Sequence, residues 1–269
     1  MQKGKAGRPA VRALAADNNL LQALKPNDLE LLLPVLSGTE HGRGDILYEP
    51  GDSVDYAYFP CARTMVSYRV MLADGRGVET ALIGREGAIG GIVSHGRLPA
   101  YARALVQYEG QFLKISSSLL ESLKKTSPSL NHLFARYADC LLAQLFQSTA
   151  CSATHSIEQR TAKWMVAALD HIGSNDVALT QEQLGGLLGV GRSYVSRVMR
   201  KLREDGVLKT RRGRILIACR EELEARSCNC NALVRDHFEE VLRGVYPNHG
   251  ADKRSPENAD LRSLSARAR

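Results

Sequence analysis

The stretch that constrains this chain most runs from Leu179 to Gly206 and reads LTQEQLGGLLGVGRSYVSRVMRKLREDG. Thr180 and Gln183 stand at capping-box spacing, and Leu184, Leu187 and Leu188 give the short helix behind them a single apolar stripe. Gly189 is placed to end that helix and Gly191 to open a second one. On a helical wheel at roughly 100° per residue, Val195, Val198, Met199 and Leu202 gather in one arc. Arg192, Ser193, Ser196, Arg197, Arg200 and Arg203 take the other side. A first helix, a glycine turn and a second helix that is apolar on one face and cationic on the other follow the helix-turn-helix plan. In that plan the first turns of the second helix meet base edges in the major groove, where a guanidinium can grip guanine or a phosphate with two parallel hydrogen bonds.

After Gly206, the string VLKTRRGRILIAC predicts two short strands around a basic turn at Arg211, Arg212 and Gly213, which is a wing. From Arg192 to Arg214 there are nine Lys or Arg against Glu204 and Asp205, a net +7 that equals the formal charge of the whole 269-residue chain. The excess is therefore concentrated where phosphates would be neutralised, and double-stranded DNA is the expected partner, bound more weakly as salt rises. The candidate DNA-binding residues are Thr180, Gln181, Arg192, Ser193, Tyr194, Ser196, Arg197, Arg200, Arg211 and Arg212. An isolated basic helix is more often just a solvated surface; the capped helix and turn ahead of this one favour DNA.

Upstream the periodicity is different. NLLQALKPNDLELLLPVL at 19–36 suggests short helices. Period-two strands are then expected at 46–48, 54–58, 66–70, 78–83, 104–108 and 112–115, with glycine-bearing turns at 50–52, 73–77, 84–87 and 109–111. Short antiparallel strands with tight turns imply a closed roll, so the fold class is α+β: a double-stranded β-helix of jelly-roll type, a long helix and a winged helix-turn-helix. Ser127 as N-cap and Pro128 as first helical residue start the long helix, which runs to about Ala153. Its apolar sector is too wide for one neighbour. It includes a Leu130/Phe134/Tyr137/Leu141 line and a Leu133/Leu142/Leu145/Phe146 flank, and the first line is assigned to a homodimer coiled coil, the alternative being a long helix folded back on its own roll.

The expected organisation is a disordered tail at 1–18, the roll at 19–126, the dimer helix at 127–154, the winged domain at 155–220, a helical extension at 221–246 and a second disordered tail at 247–269. No run reaches the roughly 18–20 apolar residues of a membrane helix and the N-terminus lacks a signal-peptide core, so a cytoplasmic protein with no membrane partner is expected. Six cysteines lie without a CxxC pair, which indicates neither a zinc ribbon nor a disulfide framework. Cys228 and Cys230, close to Cys219, are thiols that can bind metal or sense oxidants, but no metal-ligand set and no cofactor is assigned. Enzyme signatures are missing: there is no phosphate loop, HExxH, Ser/His/Asp pattern or paired carboxylate site, and His155 and His171 read as capping or surface residues.

LYEPGD at 47–52, IGREGAIGG at 83–91 and LTQEQLGGLLGVGRSYVSRVMRKLREDGVL at 179–208 together resemble the Crp/Fnr superfamily of bacterial transcription regulators over residues 20 to about 220. The resemblance implies a roll that senses an effector, a dimer helix and a winged domain that reads a two-fold operator, with RNA polymerase as a further partner. In that family a Glu after the roll's IGE run and a later Arg-Ser hold the ribose and phosphate of cyclic AMP. Here Gly91 stands at the Glu position and Tyr101–Ala102–Arg103 at the Arg-Ser-Ala position, so the effector is unknown and not expected to be cyclic AMP. The candidate effector pocket is Gly90, Gly91, Arg97 and Arg103. The family's Arg-Glu-x-x-x-Arg reading pattern is Arg192, Ser193 and Arg197 here, which keeps both guanidinium forks and loses the carboxylate. The competing reading is an effector-sensing or interaction module whose winged domain touches protein.

Overall fold

The computed structural model describes residues 8–92 and 98–242. Three N-terminal helices, α1 (Arg8–Ala16), α2 (Asn19–Gln22) and α3 (Pro26–Leu32), lead into seven strands: β1 (Ser37–His41), β2 (Ile46–Tyr48), β3 (Tyr56–Pro60), β4 (Met65–Met71), β5 (Gly77–Ile83), β6 (Arg103–Tyr108) and β7 (Gly110–Ser116). These pair antiparallel into a three-stranded sheet, β1-β7-β3, and a four-stranded sheet, β2-β6-β4-β5. The expected roll is therefore present. It includes one strand that the sequence reading missed: β1, SGTEH, has no apolar residue and is held by its register against β7. Between the sheets Tyr48, Tyr58, Val66, Ile83, Ile89, Val106 and Phe112 form a buried core.

The N-terminal segment corrects the disordered tail expected at 1–18. From Arg8 it is helical, and Val11 and Ala15 are buried in the core with Leu20, Leu21 and Leu32, because α1 is amphipathic despite its arginines. Asn18 caps α2 by accepting from the Leu21 amide and fixes this segment to the roll by donating to the Pro60 and Gly87 carbonyls, 2.9 Å each. Residues 1–7 and the tail expected at 247–269 lie outside the described residues.

α4 (Ser117–Thr126) follows the roll, and Ser127 caps the 27-residue α5 (Pro128–Thr154), which spans about 40 Å at 1.5 Å per residue. Ser156 and Gln159 close a complete capping box that begins α6 (Ile157–Ile172). Then come β8 (Asp176–Val177), α7 (Gln181–Leu188), α8 (Arg192–Glu204), β9 (Leu208–Arg211) and β10 (Arg214–Ile217), the last two joined to β8 in one sheet. This C-terminal body has its own core, centred on Trp164, Met165, Leu184, Val195, Met199 and Ile215. Of the helical extension expected at 221–246, the described residues form two helices, α9 (Arg220–Arg226) and α10 (Cys230–Val241), broken at 227–229, and 243–246 lie outside the described residues. α9 packs on α6, while α10 lies along α5 with Phe238 edge-on to Tyr137. No helix among the described residues is long and apolar enough to cross a membrane.

α5 also corrects the assignment of its faces. Leu130, Phe134 and Tyr137 are fully buried in the chain's own core and face no second copy, while Leu141 packs partly buried against that core. They are buried because the roll and the N-terminal helices cover one side of α5 and α10 another. The face left open carries Leu142, Leu145 and Phe146, which are 47%, 38% and 66% exposed.

Candidate nucleic-acid interface

Thr180 caps α7 by accepting from the Gln183 amide, and Gln183 returns a bond to the Thr180 amide, so the expected capping box exists. Gly189 ends α7 at φ +68°, a conformation that side chains resist, and its α-hydrogen side faces Val78 of β5, where a Cβ would come within 3.2 Å. Gly185 is also required: a Cβ there would lie 3.0 Å from the Val190 carbonyl, in the crossing of α7 and α8.

On α8, Val195, Met199 and Leu202 are buried at 0–1% exposure. Arg192, Ser193, Tyr194, Arg197 and Arg200 are exposed on the opposite face. The segregation read from the wheel is therefore the segregation of the fold. Ser196 is half-buried and donates to Gln181 Oε1 at 2.8 Å, which ties the reading helix to the first turn of α7. The Arg197 guanidinium lies 4.5 Å above the Tyr194 ring, a cation–π contact that restrains the fork. Neither contact was legible in the spacing.

The nine cations of this region are not equivalent. Lys201 is drawn back to Glu158 of α6 at 2.8 Å, and Arg214 to Asp176 of β8 at 2.9 Å. Among the described residues, Arg192, Arg197, Arg200, Arg211 and Arg212 have no carboxylate partner. A cleft of about 360 Å³ between the wing and the starts of α7 and α8 is lined by Thr180, Gln181, Arg192, Arg211 and Gly213. It joins the reading helix to the wing as one cationic surface.

The roll packs against the back of this head. Trp164 Nε1 donates to Glu79 Oε1 at 2.9 Å, Arg43 donates to Gln183 at 3.2 Å, and His171 Nε2 lies 3.3 Å from Glu86. Burial pushes Glu79 up to about 7, against the bonds from Ser67 and Trp164. For His171 burial acts downward, but the Glu86 carboxylate and the Ala167 carbonyl outweigh it and hold the imidazole at about 9. His171 is thus an ion-pair partner, where the sequence suggested a surface or capping role.

Among the described residues, Gly90, Gly91 and Arg103 are each engaged with neighbours. Arg103 is engaged with Glu49 at 2.8 Å. Gly90 is at φ +106° with Tyr56 against it, and its amide donates to the Tyr68 hydroxyl at 3.1 Å. Gly91 faces Leu98 and Val54, and Arg97 lies outside the described residues. Inside the roll, Tyr48, Tyr58, Phe112 and His41 meet edge to face and fill the space between the sheets. Elsewhere, Cys228 and Cys230 join Cys151 and His155 in one group, while Cys219 stands apart with its sulfur 3.6 Å from Glu221.

Comparison with known proteins agrees with this geometry. Residues 159–226 match the model of the Crp-like helix-turn-helix domain. No curated protein matches the sequence. Among solved structures the chain is similar to FixK2 from Bradyrhizobium japonicum, at 17% identity and TM-score 0.61 over 72% of this chain and 98% of that one. It is similar to the c-di-GMP-responsive global regulator CLP of Xanthomonas campestris, at 17% identity and TM-score 0.58 over 72% and 99%. A CRP-family transcriptional regulator from Thermus thermophilus matches at 19% identity and TM-score 0.59 over 70% and 95%. Residues 159–226 therefore match a Crp-like helix-turn-helix domain, and the chain shares the fold of these solved structures.

Proposed function

We propose that this chain is a DNA-binding transcription regulator of the Crp/Fnr type that acts as a homodimer, reads a two-fold operator through α8, and does not respond to cyclic AMP. The observation that supports it most is the division of α8: an apolar face seated in the core of the head, and an outer face whose guanidinium groups have no acidic partner within the described chain. Unpaired surface cations in that arrangement are free to displace counterions from phosphate and to grip guanine. Arg192 and Arg197 are the base-reading forks, and Arg211 and Arg212 hold the backbone beside them.

Leu142, Leu145 and Phe146 recur at the spacing of one helix face, and the occupant that suits such a seam is a second copy of α5, giving two heads related by a two-fold axis. Half-sites would then lie about 34 Å apart or a multiple of it. RNA polymerase is the machinery such a regulator would act on. Selection of bound duplexes from a random pool, followed by titration at several salt concentrations with and without cyclic AMP, tests the reading. A palindromic consensus, a steep salt slope and no response to the nucleotide are expected. Equal affinity for all duplexes, or none in dilute buffer, would refute it.

A further inference from the structure

Cys151, Cys228 and Cys230 form a buried cluster of their own, separate from the three hydrophobic cores. Cys151 sits in the last turn of α5, and His155, four residues on, is the C-cap of that helix. Cys228 lies in the link between α9 and α10, and Cys230 is the first residue of α10. The Sγ atoms of Cys151 and Cys228 are 3.7 Å apart, and Cys230 Sγ is 3.5 Å from His155 Nδ1. All four potential ligand atoms lie within 4.8 Å of one another. Tetrahedral zinc with bonds of about 2.3 Å to sulfur and 2.0–2.1 Å to nitrogen requires S···S edges of about 3.8 Å and S···N edges of about 3.5 Å. Two of the edges already have those lengths. Gln147 Nε2 also donates to Cys230 Sγ at 3.1 Å, the kind of outer contact that orients a ligating sulfur.

We propose that Cys151, His155, Cys228 and Cys230 are the ligands of a structural Cys₃His zinc site that binds the α9–α10 extension to the end of α5. The set is closed, with four soft or borderline donors and no carboxylate, as structural zinc requires. A disulfide would use two of the thiols and leave His155 without a role. An iron–sulfur cubane, which places iron and sulfide between its ligand sulfurs, needs a wider cage. Loading transfers Zn²⁺ from solvent to three thiolates and one neutral imidazole and releases three protons, leaving a site of net charge −1. Sequence spacing alone conceals the set, because the C-x-C pair finds its partners more than seventy residues upstream. The metal would sit at the junction of α5 and α6, since Ser156 caps α6 directly after His155.

The full-length chain, reduced and stripped of metal, is titrated with zinc chloride. Expected are one zinc per chain, about three protons released, a higher melting temperature, and an X-ray absorption spectrum with three sulfur neighbours near 2.3 Å and one nitrogen near 2.0–2.1 Å. Cys230→Ser and His155→Ala should each weaken zinc binding at least about tenfold, while Cys219→Ser should not change it. Circular dichroism of the stripped wild-type chain establishes that it is folded, so the result does not depend on whether a variant folds. A folded, reduced chain that takes up no zinc, an iron–sulfur chromophore lost on substitution of these cysteines, or a Cys151–Cys228 disulfide as the resting state would each overturn the assignment.

Discussion

His171 of α6 lies 3.3 Å from the carboxylate of Glu86 in the loop after β5, and its second ring nitrogen is 2.8 Å from the Ala167 carbonyl. This pair joins the head to the roll within one chain, and its strength depends on pH. His171 is raised from 6.5 to about 9, so its stabilising contribution is complete below pH 6.5 and is lost as pH rises through about 9. Asp170, also close, favours the same charged state. Glu79, raised from 4.5 to about 7 by burial, acts in the same direction, because from pH 4.5 to about 7 the unfolded chain ionises it while the fold still holds its proton. Glu86 is held below its usual value, which adds a loss only in acid.

The contact between roll and head should therefore loosen as pH rises through about 7 and then about 9. Trp164, the only tryptophan in the sequence, donates across this contact and reports on it directly. Its emission should shift to the red over that range, and Glu86→Gln should remove most of the alkaline limb. A flat profile in the parent chain would contradict the pairing.

Tyr137 should be fixed by Gly87. The phenol accepts from the Ala88 amide at 3.0 Å, and a Cβ on Gly87 would overlap the phenol oxygen. Gly87→Ala is expected to destabilise by about 1–3 kcal/mol through overpacking. Tyr137→Phe, which leaves a buried amide unpaired, should also cost about 1–3 kcal/mol. Urea denaturation measures both, and the two losses should not add, since each variant disturbs the same contact.

Arg197→Ala should cost roughly 1–3 kcal/mol on the selected operator and little on random duplex. Arg212→Ala should weaken both alike and reduce the salt slope by about 0.9. Fluorescence anisotropy with the two duplexes separates these outcomes. Equal losses for Arg197→Ala on both would remove its base-reading role.

Phe146→Glu places a charge on the open face of α5 and should shift the chain from dimer to monomer in sedimentation velocity, with cooperative binding to a two-fold site lost. The buried Phe134 gives the contrast. Phe134→Ala should lower stability by about 3–5 kcal/mol by leaving a cavity, an effect of folding and not of assembly.

What the sequence made legible was local chemistry. The caps at Thr180, Ser156 and Ser127 and the two faces of α8 follow from neighbours a few residues apart, and each is present. What escaped depends on distant parts of the chain. Tyr137 and Phe134 have the pattern of a coiled-coil seam, and only the position of the roll and α10 decides that they face inward. β1 has no apolar alternation because its register against β7 supplies the pairing. Arg103 suggested an anion site, yet Glu49, 54 residues earlier, already holds it.

The uncovered stripe on α5 begins at Leu142, twelve residues before the helix ends at Thr154, a distance of about 18 Å. The proposed seam, so near the head end, would be a pivot with a short arm. A twist of about 10° there would displace a point about 18 Å away by only about 3 Å, less than the rise of one base pair. Two heads so joined would tolerate small rotations at the seam while remaining in phase with the groove.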